Sequence, residues 1–167
     1  ELTGAQVLSV LQNGVSQYPR LEGRFLQLSG VTFAFDASRG PGERLDEASV
    51  RIGGKALEAT ERYRVCTLNY LRSGKDGFDA LRGAMCLADG EQAGILPTLV
   101  REYLMSISAL NGLTDTAPVY RVKRAATRID MSSLALIGDG PSPLQRYGIR
   151  PEVDGRIRCL NAPAPAG

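Results

Sequence analysis

Phe25, Tyr70 and Asp76 are the residues of this sequence best suited to hold a ligand. Each aromatic sits near glycine at the expected end of a strand, and Asp76 lies in the turn Gly74-Lys75-Asp76-Gly77. Two rings held about 7 Å apart can sandwich a flat heteroaromatic ring, each face contributing roughly 1–3 kcal/mol. A carboxylate beside them can accept hydrogen bonds from paired sugar hydroxyls. The stretch Asn69 to Phe78 also admits a plainer reading, a structural Asp-Gly turn in which Tyr70 and Phe78 fill the core. Turns of this composition are more often connections than sites, so taken alone the stretch favours the plainer reading. Whether Phe25 and Tyr70 face each other is a question of fold.

Other chemistry is largely excluded by composition. The chain has no histidine, which rules out a Ser/His or Cys/His catalytic pair and any histidine-containing metal centre within it. Cys66, Cys86 and Cys159 are too few for an all-cysteine zinc site and show no Cys-x-x-Cys spacing. An odd number leaves at least one thiol free unless it pairs with another chain, and it leans toward a reducing compartment. Cys66 falls in an expected apolar strand, where a buried and inert thiol is expected. The carboxylate pairs Asp46/Glu47 and Glu58/Glu61 sit in polar connections, where solvated surface is the default. Ser29 and Ser73 have no histidine to activate them. A binding module fits this inventory better than a self-contained catalyst.

The elements that must position these residues can be read from periodicity. Thr3 can cap a helix with Val7, Leu8, Leu11 and Val15 on one face, running to about Gln17 before Pro19. Gly14 weakens its end or lets another part of the chain approach. Phe25–Leu28 reads as a short strand and Val31–Asp36 as a half-buried one, with Val31, Phe33 and Phe35 on a shared face. A second strand should return through Ala48 to Ile52 before Gly53-Gly54. The next expected strand, Tyr63–Leu68, leads into the turn carrying Gly74 and Asp76. Beyond it, Phe78, Leu81 and Met85 can begin a helix or a partly buried connection, and Asp89-Gly90-Glu91 reads as a loop. Pro97 opens a helix carrying Leu99, Val100, Tyr103, Leu104 and Ile107, which Asn111-Gly112 should end. A strand at Val119–Val122 and a loop over Ile137–Pro143 complete the reading, with Ala162–Gly167 as a loose tail.

At 167 residues, 43% hydrophobic and 23% charged, the chain can bury a core as one domain. A net charge of +2 and the short run Arg121, Lys123, Arg124 and Arg128, balanced by Asp115 and Asp130, predict no nucleic-acid partner. No apolar run is long enough to span a bilayer, and no membrane partner is expected. The sequence opens at Glu1 with no initiator methionine or signal-like segment, so it is expected to be cut from a longer polypeptide.

Several ordered stretches resemble the C-terminal domain of the metal-dependent 5′-nucleotidases. They are Leu2-Thr3-Gly4, Asn13-Gly14-Val15-Ser16, Gly23-Arg24-Phe25-Leu26-Gln27-Leu28-Ser29-Gly30, Phe35-Asp36 with Arg39, Gly42 and Arg44, and Thr67 to Phe78. Val153-Asp154-Gly155-Arg156-Ile157 looks like that family's usual end. The match is dense over Leu2 to Phe78, looser over Pro97 to Leu110, and absent from about Thr114 to Arg150, which looks like an insertion.

The resemblance implies an α/β fold of α+β type, a mixed sheet with a long N-terminal helix and a second helix near 97–110. It implies a substrate-binding domain over 1–160 and a flexible tail over 161–167. It places Phe25 and Tyr70 on the two faces of a nucleotide base and Asp76 on the ribose, with Asn69 and Gly74 in the same binding turn. The ligand would be a nucleoside monophosphate or nucleoside. The partner would be an N-terminal calcineurin-like domain of the same polypeptide, holding two divalent metal ions and performing hydrolysis. No cofactor is expected in this chain, and the fragment alone is expected to be inactive. The family is often secreted, periplasmic or surface-anchored, which leaves the compartment open. Tyr70 and Lys75 depart from the usual pattern; Lys75 stands where glycine is usual and is expected to point to solvent. Related enzymes that cleave 2′,3′-cyclic nucleotides or UDP-sugars share this architecture, and a non-catalytic interaction domain remains the alternative of a different class.

Overall fold

Thr3 starts the first helix through a reciprocal cap. Its hydroxyl accepts from Gln6 N at 3.3 Å, while Gln6 Oε1 accepts from Thr3 N at 2.8 Å, satisfying donors that a helix N-terminus leaves open. In the computed structural model, which describes residues 1–116, 135–137, 146–148 and 153–161, this helix α1 spans Gly4–Val15. Its next two amides are taken by a neighbouring segment: Gly4 N donates to Glu61 O at 2.9 Å and Ala5 N to Ala59 O at 3.0 Å. That segment lies so close that a Cβ on Gly4 would overlap Glu58 O. Glycine at the helix start is therefore a packing requirement. Val7, Leu11 and Val15 are buried along the expected face, with Leu8 half-buried.

The helix stops at Val15 rather than Gln17. Its last carbonyls are gathered by an arginine from across the fold: Arg44 Nη1 donates to the carbonyls of Val15 at 2.9 Å, Ser16 at 2.9 Å and Tyr18 at 2.6 Å. A cation at this end also complements the helix dipole. The following Tyr18–Pro19 peptide bond is cis.

Helix α1 packs with a four-stranded sheet whose strands lie in the order Lys55–Ala56, Leu45–Ile52, Val31–Phe35 and Ile157–Cys159. Strand β2 (Val31–Phe35) pairs antiparallel with β3 (Leu45–Ile52) and parallel with β8 (Ile157–Cys159). The β2–β3 register runs from Val31 opposite Ile52 to Phe35 opposite Leu45, with an irregularity between Thr32 and Ala34. β3 turns back into β4 (Lys55–Ala56) through Gly53 and Gly54, whose φ values of +57° and +80° suit a tight hairpin. β2 was expected to be half-buried, but Phe33, Ala34 and Phe35 are all buried. It is a central strand paired on both edges, and the small Ala34 is buried between its neighbours on β3 and β8 while Thr32 on the same face stays exposed. The core joins Leu2, Val7, Leu11 and Val15 to Phe33, Phe35, Leu45 and Val50, with Phe78 and Leu81 closing it.

Other expectations also change. Phe25–Leu28 forms no ladder and lies in a loop over residues 20–30. β5 is Arg62–Tyr63, paired with β1 (Leu2–Thr3), and ends there instead of running to Leu68. β1 supplies two residues of pairing, so residues 64–68 run on unpaired and exposed. Cys66 is accordingly exposed, not buried.

Residues 88–152 form a separate compact unit. Asp89 caps a short helix α3 (Gly90–Ala93) where a loop was expected, its carboxylate accepting from Glu91 N and Gln92 N at 3.0 Å each. Helix α4 spans Leu96–Thr116 and continues through Asn111-Gly112; an internal glycine lowers helix propensity by about 1 kcal/mol without forcing an end. Strand β6 (Ala135–Ile137) pairs antiparallel with β7 (Arg146–Gly148). The strand expected at Val119–Val122, the basic run to Arg128, the loop after Ile137 and the tail at Ala162–Gly167 lie outside the described residues. The architecture is a mixed α/β fold with a mixed sheet, as the sequence implied.

Candidate functional site

The stretch from Asn69 to Phe78 is a short helix followed by a left-handed turn and a core plug, not a strand end. Helix α2 covers Asn69–Arg72. Ser73 N closes onto Asn69 O at 3.1 Å and Gly74 N onto Leu71 O at 2.9 Å. Gly74 and Gly77 both have φ near +79°, and Asp76 between them is itself left-handed at φ +55°, a region that aspartate tolerates better than most residues. Phe78 then enters the core and is buried. The plainer expectation was half right: Phe78 fills the core, whereas Tyr70 is 54% exposed.

This conformation is fastened from α1. Asn13 Nδ2 donates to Asp76 O at 3.0 Å, and a Cβ on Gly77 would come 2.9 Å from Asn13 Oδ1. Gly74 is buried beneath the Arg82 side chain, where any Cβ would overlap the guanidinium. Arg82 in turn reaches Asp79, with Nη2 at 3.1 Å from Oδ1. Lys75 and Asn69 are exposed.

Within the turn, Tyr70 and Asp76 come together. The Tyr70 hydroxyl donates to Asp76 Oδ1 at 3.0 Å, and Ser73 Oγ donates to Tyr70 O at 2.7 Å. The hydrogen bond to the carboxylate, with its negative charge, pushes the Tyr70 hydroxyl above the ordinary phenol value. An exposed ring and an exposed acceptor are thus held side by side.

The loop carrying Phe25 passes close to the next residue of α1. A Cβ on Gly14, the residue after Asn13, would meet the Leu26 side chain at 3.2 Å and Arg24 O at 3.6 Å. The absence of a side chain lets the Phe25 loop come close, as the sequence allowed. Phe25 is half-buried, with ring centroids 6.2 Å from Tyr18 and 6.4 Å from Phe35. Among the described residues no ring contact joins Phe25 to Tyr70. Arg156 braces the loop further along, donating from Nη1 to Leu28 O while Asp154 holds its guanidinium.

Asn13, Arg44 and Arg156 support the site and were not singled out from sequence. All three fall in the stretches that carried the resemblance. No pattern of polarity distinguishes them, because each acts by reaching a backbone carbonyl far away in the chain.

A family model described as 5′-nucleotidase, C-terminal domain, matches residues 1–83. Residues 1–83 belong to that family. Over 120 residues, 67% of its length, the chain is 28% identical to the 5′-nucleotidase of Homo sapiens, of which it spans 21%. It is 32% identical over 97 residues, 56% of its length, to the trifunctional nucleotide phosphoesterase protein YfkN of Bacillus subtilis (strain 168), of which it spans 6%. Among solved structures it is similar to the 5′-nucleotidase precursor from Thermus thermophilus, with a TM-score of 0.57 and 27% identity, covering 97% of this chain and 24% of that one. The chain therefore spans less than a quarter of the length of each of these proteins. Among the described residues no three His, Cys, Asp or Glu side chains converge as metal ligands, and no helix is long and apolar enough to cross a membrane.

Proposed function

We propose that this chain is the nucleotide-recognition domain of a 5′-nucleotidase-like hydrolase that removes phosphate from nucleoside monophosphates. Phe25 and Tyr70 would take the two faces of the base, and Asp76 would accept from the sugar, with Asn69 and Gly74 shaping the turn that presents them. Hydrolysis would fall to a separate calcineurin-like domain of the same polypeptide carrying two divalent metal ions. The observation that carries this reading is the junction on α1: adjacent residues Asn13 and Gly14 hold the Asp76 turn and the Phe25 loop, respectively. Two stretches far apart in sequence are thereby brought to the same helix turn, with Tyr70 left open to a ligand.

Titration of adenosine into the chain, followed by tyrosine fluorescence and calorimetry, tests the reading. Saturable binding is expected, weakened about 5- to 150-fold by Tyr70→Ala, because one stacked face contributes roughly 1–3 kcal/mol. Phe25→Ala should weaken it comparably. Absence of binding, or binding unaffected by Tyr70→Ala, would mean that these rings serve the fold alone. The contacts of Phe25 with Tyr18 and Phe35 favour that second reading, a non-catalytic interaction domain, for this ring.

The name of the B. subtilis relative supports a third reading, a related phosphoesterase acting on other nucleotide esters. Rates of the full-length protein on AMP, a 2′,3′-cyclic nucleotide and UDP-glucose separate it from the first.

A further inference from the structure

A stacking role uses the face of Tyr70 and leaves its hydroxyl without a task. That hydroxyl donates to Asp76 Oδ1 at 3.0 Å. A phenylalanine would present the same face, so the hydroxyl has to be judged by what it does to Asp76. The backbone of Asp76 is already fixed, with φ at +55° and its carbonyl held by Asn13. What remains free is the carboxylate, which stands exposed and would otherwise rotate. An ionised carboxylate offers about four lone-pair sites on two oxygens. The Tyr70 proton occupies a site on Oδ1, leaving Oδ2 whole and a second site on Oδ1. Those remaining positions can receive two donors spaced like vicinal hydroxyls.

Resting on the nucleotide-pocket reading, we propose that Tyr70 is a positioning residue for sugar recognition: its hydroxyl aims the Asp76 carboxylate at a vicinal diol. The site therefore favours ribonucleosides over their dideoxy counterparts. The ring that would stack on the base and the group that would hold the sugar are linked through this side chain.

The test is calorimetric titration of adenosine and 2′,3′-dideoxyadenosine into the wild-type chain, Tyr70→Phe, Asp76→Ala and the double variant, with a thermal melt of each. Wild type should prefer adenosine by about tenfold. Tyr70→Phe should weaken adenosine about three- to tenfold, the size of a lost or misdirected hydrogen bond. It should change the dideoxy ligand by less than about twofold, since neither the ring nor the base is altered. In the Asp76→Ala background the same substitution should do nothing further. Equal weakening of both ligands, with or without a lower melting temperature, overturns the proposal, because the hydroxyl would then be serving the ring or the fold. So does a Tyr70→Phe variant that keeps the full preference for adenosine. In either of those cases the wild type still binds nucleoside and the pocket reading survives; if the wild type binds neither ligand, both fall together.

Discussion

Asn13 donates from Nδ2 to Asp76 O at 3.0 Å, across 63 residues of sequence. Asp76 is left-handed without being glycine, a conformation that persists when surrounding contacts over-determine it. Asn13→Ala removes the external contact and adds a better helix former. Stability should therefore change little, while the Asp76 carboxylate loses its fixed base. Adenosine affinity of the chain should fall about two- to tenfold, the equivalent of roughly 0.5–1.5 kcal/mol, as read by calorimetry. Unaltered affinity would show that the turn holds its shape without α1.

Arg44 joins the helix end to the aromatic cluster. Its Nη1 reaches the carbonyls of Val15, Ser16 and Tyr18, and Nε donates to Arg39 O at 3.0 Å. Tyr18 in turn packs edge-on against Phe35 at 5.1 Å and tilted against Phe25 at 6.2 Å. Arg44→Met keeps the stem and removes the donors, so orphaned carbonyls should lower stability by about 1.5–3 kcal/mol and the melting temperature by roughly 3–12 °C. If Tyr18 also sets the pose of Phe25, nucleoside affinity should fall at temperatures where the variant is still folded. A melting temperature within error of wild type would remove Arg44 from this role.

At Gly4 two effects oppose each other. Alanine is favoured over glycine in a helix by about 1 kcal/mol, yet a Cβ here would overlap the backbone of Glu58. Backbone cannot rotate away as a side chain can. The clash should win, and Gly4→Ala should unfold at lower urea than wild type, with the pairing of Leu2 with Tyr63 and Thr3 with Arg62 loosened first in hydrogen exchange. Higher urea resistance would mean that segment 58–61 shifts freely.

These outcomes bear on what a sequence can disclose. Helix α1, its cap at Thr3 and its buried face were legible because capping and period-3.6 burial are local. The end of β5 was not, since it depends on β1 offering only two residues to pair with. The burial of Ala34 was missed for a related reason: β8, more than a hundred residues later, covers the other edge of β2. At the site, a turn was legible from Gly74 and Gly77, while the left-handed backbone of Asp76 between them was not, and composition excluded histidine chemistry. The contact between Tyr70 and Asp76 was within reach of a six-residue spacing, but the plainer reading of the turn placed Tyr70 in the core. A four-residue helix turned it outward.

Asp36 gives the fold a defined acid limit. Ser38 donates to its Oδ1 through both backbone N, at 2.9 Å, and Oγ, at 2.6 Å. With the side-chain hydrogen bond from Ser38 foremost, then that from Asn161, the carboxyl is held down to about 2. A folded-state value below the unfolded one, about 3.8, means that the carboxylate stabilises the fold above that unfolded value and loses its contribution as the pH drops toward the folded one. The difference in unfolding free energy between wild type and Asp36→Asn should therefore be flat from about pH 7 to 5 and shrink between about pH 4 and 2. At the acid end the protonated aspartic acid and the amide make similar bonds, so the two proteins should converge. Chemical denaturation of both proteins at half-unit steps through this window reads the change directly, and parallel curves down to pH 2 would show that the turn does not discriminate charge. Asp154, held to about 2 by Arg156, titrates in the same window, but its contribution is common to both proteins and cancels in the difference.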